Sequence, residues 1–332
     1  MHLVIADSAA HVGVSGGRIQ IRSEANGDTE IPIELVEAVT LFGRPSLTTP
    51  FIIEMMNRNV DVLLFTIEGR YRGRIAASDT TYAPRLRAQV QASDNPTFSL
   101  AIAKQLVRTK LEQQRALVTA FDQVGSAVAL LGPLEHSLEW MGQSGTIAEV
   151  NGFEGNGAKA YFAALAELVP QPFAFSGRST RPPRDAFNAM ISYGYSLLHR
   201  HMVGAIERAN LNPYLGFMHQ DARGHATLAS DLIEVWRAPI VDDLVLRLIL
   251  DGGIMADQFT ADETTGGVSL ERQAMAQLTK AFGQRITRIA PYLEEDSRRY
   301  TFQYALELQL QSLVRAIETR NPDEFVAIHT QS

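Results

Sequence analysis

The sequence predicts an α+β protein of two domains, a small β-rich domain followed by a larger all-α domain. Three observations predict it. Short runs rich in Val, Ile and Leu, separated by glycine turns, fill residues 1–78. A polar joint lies over residues 79–96. From residue 97 to 332 the apolar residues recur at helical spacing. A length of 332 residues suits two domains.

In order along the chain, HLVIA, RIQIR, IPIELVEAVTLFG and VDVLLFT read as strands, with Gly16-Gly17 and Asn26-Gly27-Asp28 as turns. One helix interrupts them. Thr48 or Thr49 caps it, Pro50 suits its first turn, and FIIEMMNRN follows. Arg70, Arg72 and Arg74 alternate around Tyr71 and Gly73, as on an exposed strand or hairpin. Ser78-Asp79-Thr80-Thr81 and Pro84 mark the joint. Asn95-Pro96-Thr97 then opens a long helix, with Phe98, Ala101, Leu106, Leu111, Leu117 and Phe121 on one side. Further helices are predicted near residues 136–149, 155–169, 185–209, 228–236, 240–250, 269–284 and 296–319.

Composition narrows the chemistry. The chain has no cysteine, which excludes disulfides, thiolate metal sites and a cysteine nucleophile. No long apolar run predicts a membrane span, and the N-terminus lacks a signal-peptide pattern, so a cytoplasmic location is expected. The net charge of −7 argues against a polyanionic partner. Basic residues nevertheless cluster locally: Arg70, Arg72, Arg74, Arg85 and Arg87 in one stretch, Arg178, Arg181 and Arg184 in a second, Arg298 and Arg299 in a third. Such clusters read either as solvated surface or as phosphate contacts.

The densest polar constellation lies in HQDARGHATLASDLIEVWRAP, residues 219–239. Asp231 and Glu234, three apart on a helix, share a face. His219 and His225 precede that helix. Imidazole and carboxylates together suit Mg²⁺ or Mn²⁺. Another carboxylate, Glu154, stands at the entrance to a second helix; spacing alone does not bring it to His219. Tyr161, Tyr193 and Tyr195 could suggest a tyrosine nucleophile but sit among apolar neighbours, as packing residues do. Asn188 and Ser192, four apart, read as a pair joining two helices.

Four blocks in order resemble the CRISPR-associated Cas-one family, the integrase that captures new spacers. They are Phe153-Glu154-Gly155 through Ala158, Tyr161 and Phe162; RPPRDAFNAMISYGYSLL, residues 181–198; LNPYLGFMH, residues 211–219; and LASDLIEVWRAPIVD, residues 228–242, with Asp231, Glu234, Arg237, Pro239 and Asp242 in the family pattern. The N-terminal IPIELVEAVTLFGRPSLTTPFIIEMMNRNVDVLLFT is similar to the family's β-domain. The resemblance implies Glu154, His219 and Glu234 as ligands of Mg²⁺ or Mn²⁺, with Asp231 supporting them. His225 falls where the family has no fixed residue, and Asn156 where relatives carry a basic or small one.

The resemblance also implies an activity: metal-dependent insertion of a short DNA duplex into a CRISPR array by attack of a DNA 3′-hydroxyl. It implies a homodimer built partly on the β-domains, assembly with the small Cas-two protein, and double-stranded DNA (prespacer and repeat) as substrate. Arg70, Arg72, Arg74, Arg178, Arg181 and Arg184 are the candidate DNA contacts. Two rivals stay open: a nuclease acting on branched or single-stranded DNA with water as nucleophile, and a non-enzymatic DNA-binding scaffold.

Overall fold

The computed structural model describes residues 2–24, 27–66, 71–77, 82–219, 224–290 and 300–328. It divides into two compact units, Met1–Ala83 and Pro84–Ser332.

The first unit holds two four-stranded sheets. Its elements are β1 (His2–Ile5), β2 (His11–Ser15), β3 (Arg18–Arg22), β4 (Thr29–Pro32), β5 (Ala38–Phe42), β6 (Ser46–Leu47), α1 (Thr49–Asn57), β7 (Asp61–Phe65) and β8 (Tyr71–Ile75). One sheet runs β1-β5-β7-β8, with β1, β5 and β7 parallel and β8 antiparallel; the other runs β4-β3-β2-β6. Gly16 and Gly17 join β2 to β3 with φ of 56° and 71°. Two consecutive positive φ values make the turn whose twist matches a two-residue hairpin. The expected single strand over residues 31–43 is broken. Ile33–Leu35 forms a 3₁₀ turn that buries Ile33 and separates β4 in one sheet from β5 in the other. Thr48 caps α1 by accepting from the Phe51 amide, and the helix buries Phe51 and Met55 against Val12, Ile19, Val39 and Val62.

Among its described residues the second unit is mostly helical, with short paired strands and connecting loops. Its elements are α2 (Tyr82–Ser93), α3 (Pro96–Phe121), α4 (Gly132–Trp140), α5 (Ile147–Leu168), α6 (Ala186–Arg208), α7 (Thr227–Ile233), α8 (Asp243–Leu250), β9 (Phe259–Ala261), β10 (Val268–Leu270), α9 (Arg272–Thr287), β11 (Ile289–Ala290), β12 (Tyr300–Thr301) and α10 (Phe302–Thr319). Among the described residues no helix is long and apolar enough to cross a membrane.

Two expectations need correction. Residues 79–96, read as a linker, contain the twelve-residue α2. Its polar texture misled: Gln89 is fully buried, donating to the carbonyls of Asn212 and Leu215 at 2.9 and 3.1 Å and accepting from the Asn212 amide at 2.8 Å. Glu154 does not stand at a helix entrance. The helix begins seven residues earlier, at Ile147, where Thr146 and Glu149 form a reciprocal capping box. The helices predicted near residues 136–149 and 155–169 leave Asn151 and Gly152 between them, but packing on α3 carries one helix through both. Gly157 permits that packing, since a Cβ there would lie 2.5 Å from the Leu111 side chain.

From Thr227 to Leu250 the backbone is one helical rod of changing pitch: α7, a 3₁₀ turn Glu234–Trp236, a π-helical turn Arg237–Asp242, then α8. Pro239 supplies the reason. It lacks an N–H and crowds the carbonyl four residues back, so the helix tightens before it and widens around it. Arg285 fastens the widened turn, donating to the Pro239 carbonyl at 2.5 Å and pairing with Asp243 at 2.8 Å.

Gln89 ties α2 to the segment leading to His219. Gln89→Ala is expected to lower the stability of the helical unit by about 2 to 3 kcal/mol, because two carbonyls and an amide lose their partner in a dry site. Urea unfolding followed by Trp140 and Trp236 fluorescence measures it. An unchanged midpoint would show that α2 contributes nothing there.

Candidate active site

Glu154 on α5 and Glu234 in the 3₁₀ turn meet at one cation, the Lys110 ammonium of α3. Lys110 Nζ bonds Glu154 Oε1 and lies 2.6 Å from Glu234 Oε2. The other Glu234 oxygen pairs with Arg237 Nη1 at 2.8 Å, one turn along. Side-chain exposure is 6% for Lys110 and 3% for Glu234, against 24% for Glu154, so the cluster is closed around Lys110 and Glu234 and opens at Glu154. Burial alone would push the Glu234 carboxyl up. The Arg237 and Lys110 charges outweigh it and hold Glu234 below the ordinary carboxylate value. Burial likewise opposes the Lys110 charge, yet Glu234 and Glu154 keep its pKa above the ordinary lysine value.

Asp231, fully buried on α7, organises the histidine. Its Oδ2 accepts from the Phe217 and Met218 amides at 2.6 and 3.0 Å, and its Oδ1 from the His219 amide at 3.1 Å and from His219 Nδ1 at 2.6 Å. Four donors on one carboxylate fix the loop and the ring together. With Nδ1–H directed at Asp231, the neutral ring leaves Nε2 as its coordinating nitrogen. The hydrogen bond to Asp231, reinforced by the carboxylate's charge, raises the His219 pKa against burial. The imidazole is 41% exposed, so solvent reaches it. Close approach makes this cradle possible: a Cβ on Gly216 would lie 2.8 Å from Asp231 Oδ2 and 3.0 Å from the Thr227 backbone.

A polar network continues from Arg237. Its guanidinium lies 4.9 Å from the centre of the Tyr195 ring. The Tyr195 and Tyr161 hydroxyls donate to the two oxygens of buried Asp242 at 2.8 and 2.7 Å. Burial pushes the Asp242 carboxyl up to about 6 despite those bonds. The two tyrosines are thus structural donors; Tyr193 donates to or accepts from Thr279 at 2.9 Å. Asn188, fully buried, joins segments: its side-chain oxygen accepts from Arg178 and the Ser179 amide, and its side-chain nitrogen donates to the Gly177 carbonyl and to Asp185.

The structure brings Glu154 and Glu234 together and places His219 within electrostatic range of Glu234. Among the described residues, however, no three His, Asp or Glu side chains converge tightly enough to hold a metal ion; Lys110 stands between the glutamates. The donor set still fits a hard divalent cation: two carboxylates already share one cation, beside an imidazole held in a single tautomer. His225 is exposed and bonds Ser230, and Asn156 is exposed on α5. Of the candidate DNA contacts, Arg178 does not stand free for a phosphate. Its guanidinium is held by Ser179, Asn188 and Ser192 and lies over Tyr195. Arg184 is exposed but donates to the Thr265 carbonyl at 2.7 Å, and Arg74 pairs with Asp61 at 3.4 Å. Arg72 and Arg181 are exposed; Arg70, Arg298 and Arg299 lie outside the described residues.

Sequence reasoning missed Lys110 and gave no role to Arg237 or Asp242. Lys110 did leave a signal: it falls four residues after Leu106 on the stripe Phe98, Ile102, Leu106, all buried. A lysine on the apolar stripe of a long helix needs a buried anion.

The family model for "CRISPR associated protein Cas1" matches residues 3–284. The chain belongs to the Cas1 family. A curated Cas1 relative, "CRISPR-associated endonuclease Cas1" of Mycobacterium tuberculosis, is 53% identical over 332 residues, covering 100% of this chain and 98% of the relative. A Cas1 of Thermus thermophilus is 32% identical over 288 residues, 86% of this chain and 87% of that one. Among solved structures, a chain of a partial Cas6-RT-Cas1--Cas2 complex is 26% identical with a TM-score of 0.74, covering 98% of this chain and 97% of that one. A casposase bound to integration product shares the fold, with a TM-score of 0.70 and 22% identity over 96% of both chains.

Asp242 yields a test in this Cas1 chain. Its folded pKa of about 6 stands above the 3.8 of an ordinary aspartate. Below about pH 4 both folded and unfolded forms are protonated. As pH rises toward 6 the unfolded chain ionises first, so stability is lost over that window and levels above it. Relative to Asp242→Asn, wild type is expected to lose up to about 3 kcal/mol between pH 4 and 6.5. Parallel stability–pH curves for the two proteins would contradict the assignment.

Proposed function

We propose that this Cas1 chain is a metal-dependent DNA strand-transfer enzyme of CRISPR adaptation, with Glu154, His219 and Glu234 holding Mg²⁺ or Mn²⁺. The observation that carries the reading is the convergence of Glu154 and Glu234 on one cation beside an imidazole locked by Asp231. Family membership supports the reaction class, and the similarity to a casposase bound to integration product supports a fold suited to it.

A divalent ion at this site supplies Lewis acidity toward a scissile phosphate and charge stabilisation for the departing 3′ oxygen. The protein's part is positional. Asp231 holds the His219 ring in the tautomer whose Nε2 faces away from it. Arg237 neutralises one Glu234 oxygen and keeps that carboxylate ionised in a buried setting. The 3₁₀ turn carries Glu234 to Lys110, and Arg237, at the start of the π-helical turn, pairs with the other Glu234 oxygen. No protein nucleophile is needed, and the tyrosine hydroxyls are committed to Asp242 and Thr279. The attacking group is then a DNA 3′-hydroxyl. The same site with water as nucleophile gives hydrolysis, which the name of the 53% identical relative favours as a second activity.

The substrates proposed are a short duplex and a CRISPR repeat, and the partners a second copy of this chain and a Cas2 protein, in keeping with the Cas1--Cas2 complex among the similar structures. Arg72 and Arg181, both exposed, are the retained candidates for phosphate contact.

A strand-transfer assay with a labelled 3′-OH duplex, a supercoiled repeat target and Mn²⁺ tests the reading, with and without Cas2. Wild type is expected to give joined product. Glu154→Ala, His219→Ala and Glu234→Ala are each expected to reduce it at least about 100-fold while retaining the wild-type circular dichroism spectrum. Shortened strands alone would mean a nuclease, and bound but unchanged DNA a scaffold. Near wild-type turnover in any of the three variants would remove that residue from the ligand set.

A further inference from the structure

Lys110 is an unusual residue to bury. An ammonium taken out of water costs several kcal/mol unless its partners repay it. Here the partners are two glutamates from different elements, Glu154 of α5 and Glu234 of the 3₁₀ turn. With Arg237 on the remaining Glu234 oxygen, the cluster contains two negative and two positive groups and is neutral as it stands. That balance is the difficulty for a metal ion.

A divalent cation bound by the same carboxylates draws their oxygens to about 2.1 Å. It cannot share that space with an ammonium already in contact with an oxygen of each glutamate. Adding it while Lys110 stayed would also leave two uncompensated positive charges in a closed site. The placement of the ligands agrees: among the described residues no three acidic or histidine side chains converge to metal-binding distance, and the atom between the two glutamates is Lys110 Nζ. Resting on the metal-ligand reading of Glu154, His219 and Glu234, we infer that Lys110 is an internal counterion that competes with the metal. It holds Glu154 and Glu234 together in the metal-free protein and leaves its place between them when a divalent cation enters. Once it has left, the cation, Arg237 and two carboxylates carry one net positive charge, which a single phosphodiester neutralises. Metal loading and substrate charge are thereby matched.

Two measurements test this, neither of them activity. Mn²⁺ affinity is determined by calorimetry on the full-length wild type and on Lys110→Met and Lys110→Gln, each checked by circular dichroism. Removing the competing charge is expected to tighten Mn²⁺ binding by about ten-fold or more in both variants. The second measurement needs no substitution. Wild-type protein is acetylated by an amine-reactive ester with and without saturating Mn²⁺, and labelling is read by peptide mass spectrometry. Lys110 is expected to be protected without metal and labelled several-fold faster with it, while Lys104, Lys159 and Lys280 serve as internal references. Equal or weaker Mn²⁺ binding in both variants, or unchanged Lys110 labelling when Mn²⁺ is bound, would overturn the role of Lys110 and leave the metal site standing. Absence of Mn²⁺ binding to wild type and variants alike would remove the metal site itself, and the inference with it.

Discussion

Carboxylates that face one another away from water must be neutralised, and this constraint shapes the helical unit around Glu154 and Glu234. Each comes from a different element, and neither could be buried alone without a large penalty. Lys110 and Arg237 meet the requirement, one between the two acids and one behind Glu234. The close approach of α3 and α5 at Gly157 is what lets a lysine on one helix reach a glutamate on the other. The lowered Glu234 pKa and the raised Lys110 pKa are two views of the same mutual stabilisation.

A second carboxylate does different work. Asp231 is saturated by three backbone amides and an imidazole, so it cannot readily serve as a ligand, and its value lies in holding His219. Asp231 and Glu234 are three residues apart, yet one faces the loop and the other Lys110. The changing pitch of the rod around Pro239 then turns Arg237 and Asp242 to their separate partners. An unbroken α-helix would not distribute four charged side chains in this way, and the changes of pitch between Thr227 and Leu250 do.

Much of this was legible in the sequence, and the rest has identifiable physical causes. Alternating β-branched runs announced the strands because half-buried sheets demand that period, and Gly16-Gly17 announced the hairpin because its turn needs two positive φ values. The break at Ile33–Leu35 was hidden inside a continuous apolar run, since a buried 3₁₀ turn and a buried strand look alike there. Glu154, His219 and Glu234 came from resemblance, as spacing cannot place side chains from distant elements together. Spacing puts Asp231 on one face with Glu234, and only the fold of residues 217–219 over it shows that it points into that loop. Arg178 shows the reverse error: a basic cluster suggested solvent and phosphate, whereas burial against Asn188 and Ser192 uses its donors internally. Lys110 went unread because a single lysine in a long helix is ordinarily on its outer face.

The central claim is that Glu154, His219 and Glu234 form one divalent-metal site. The most direct measurement is anomalous diffraction from crystals of this Cas1 chain soaked in Mn²⁺. The account predicts one manganese peak bonded to a carboxylate oxygen of each glutamate and to His219 Nε2, at about 2.1 to 2.3 Å. A manganese peak bonded to other residues, or none at millimolar Mn²⁺, would contradict it.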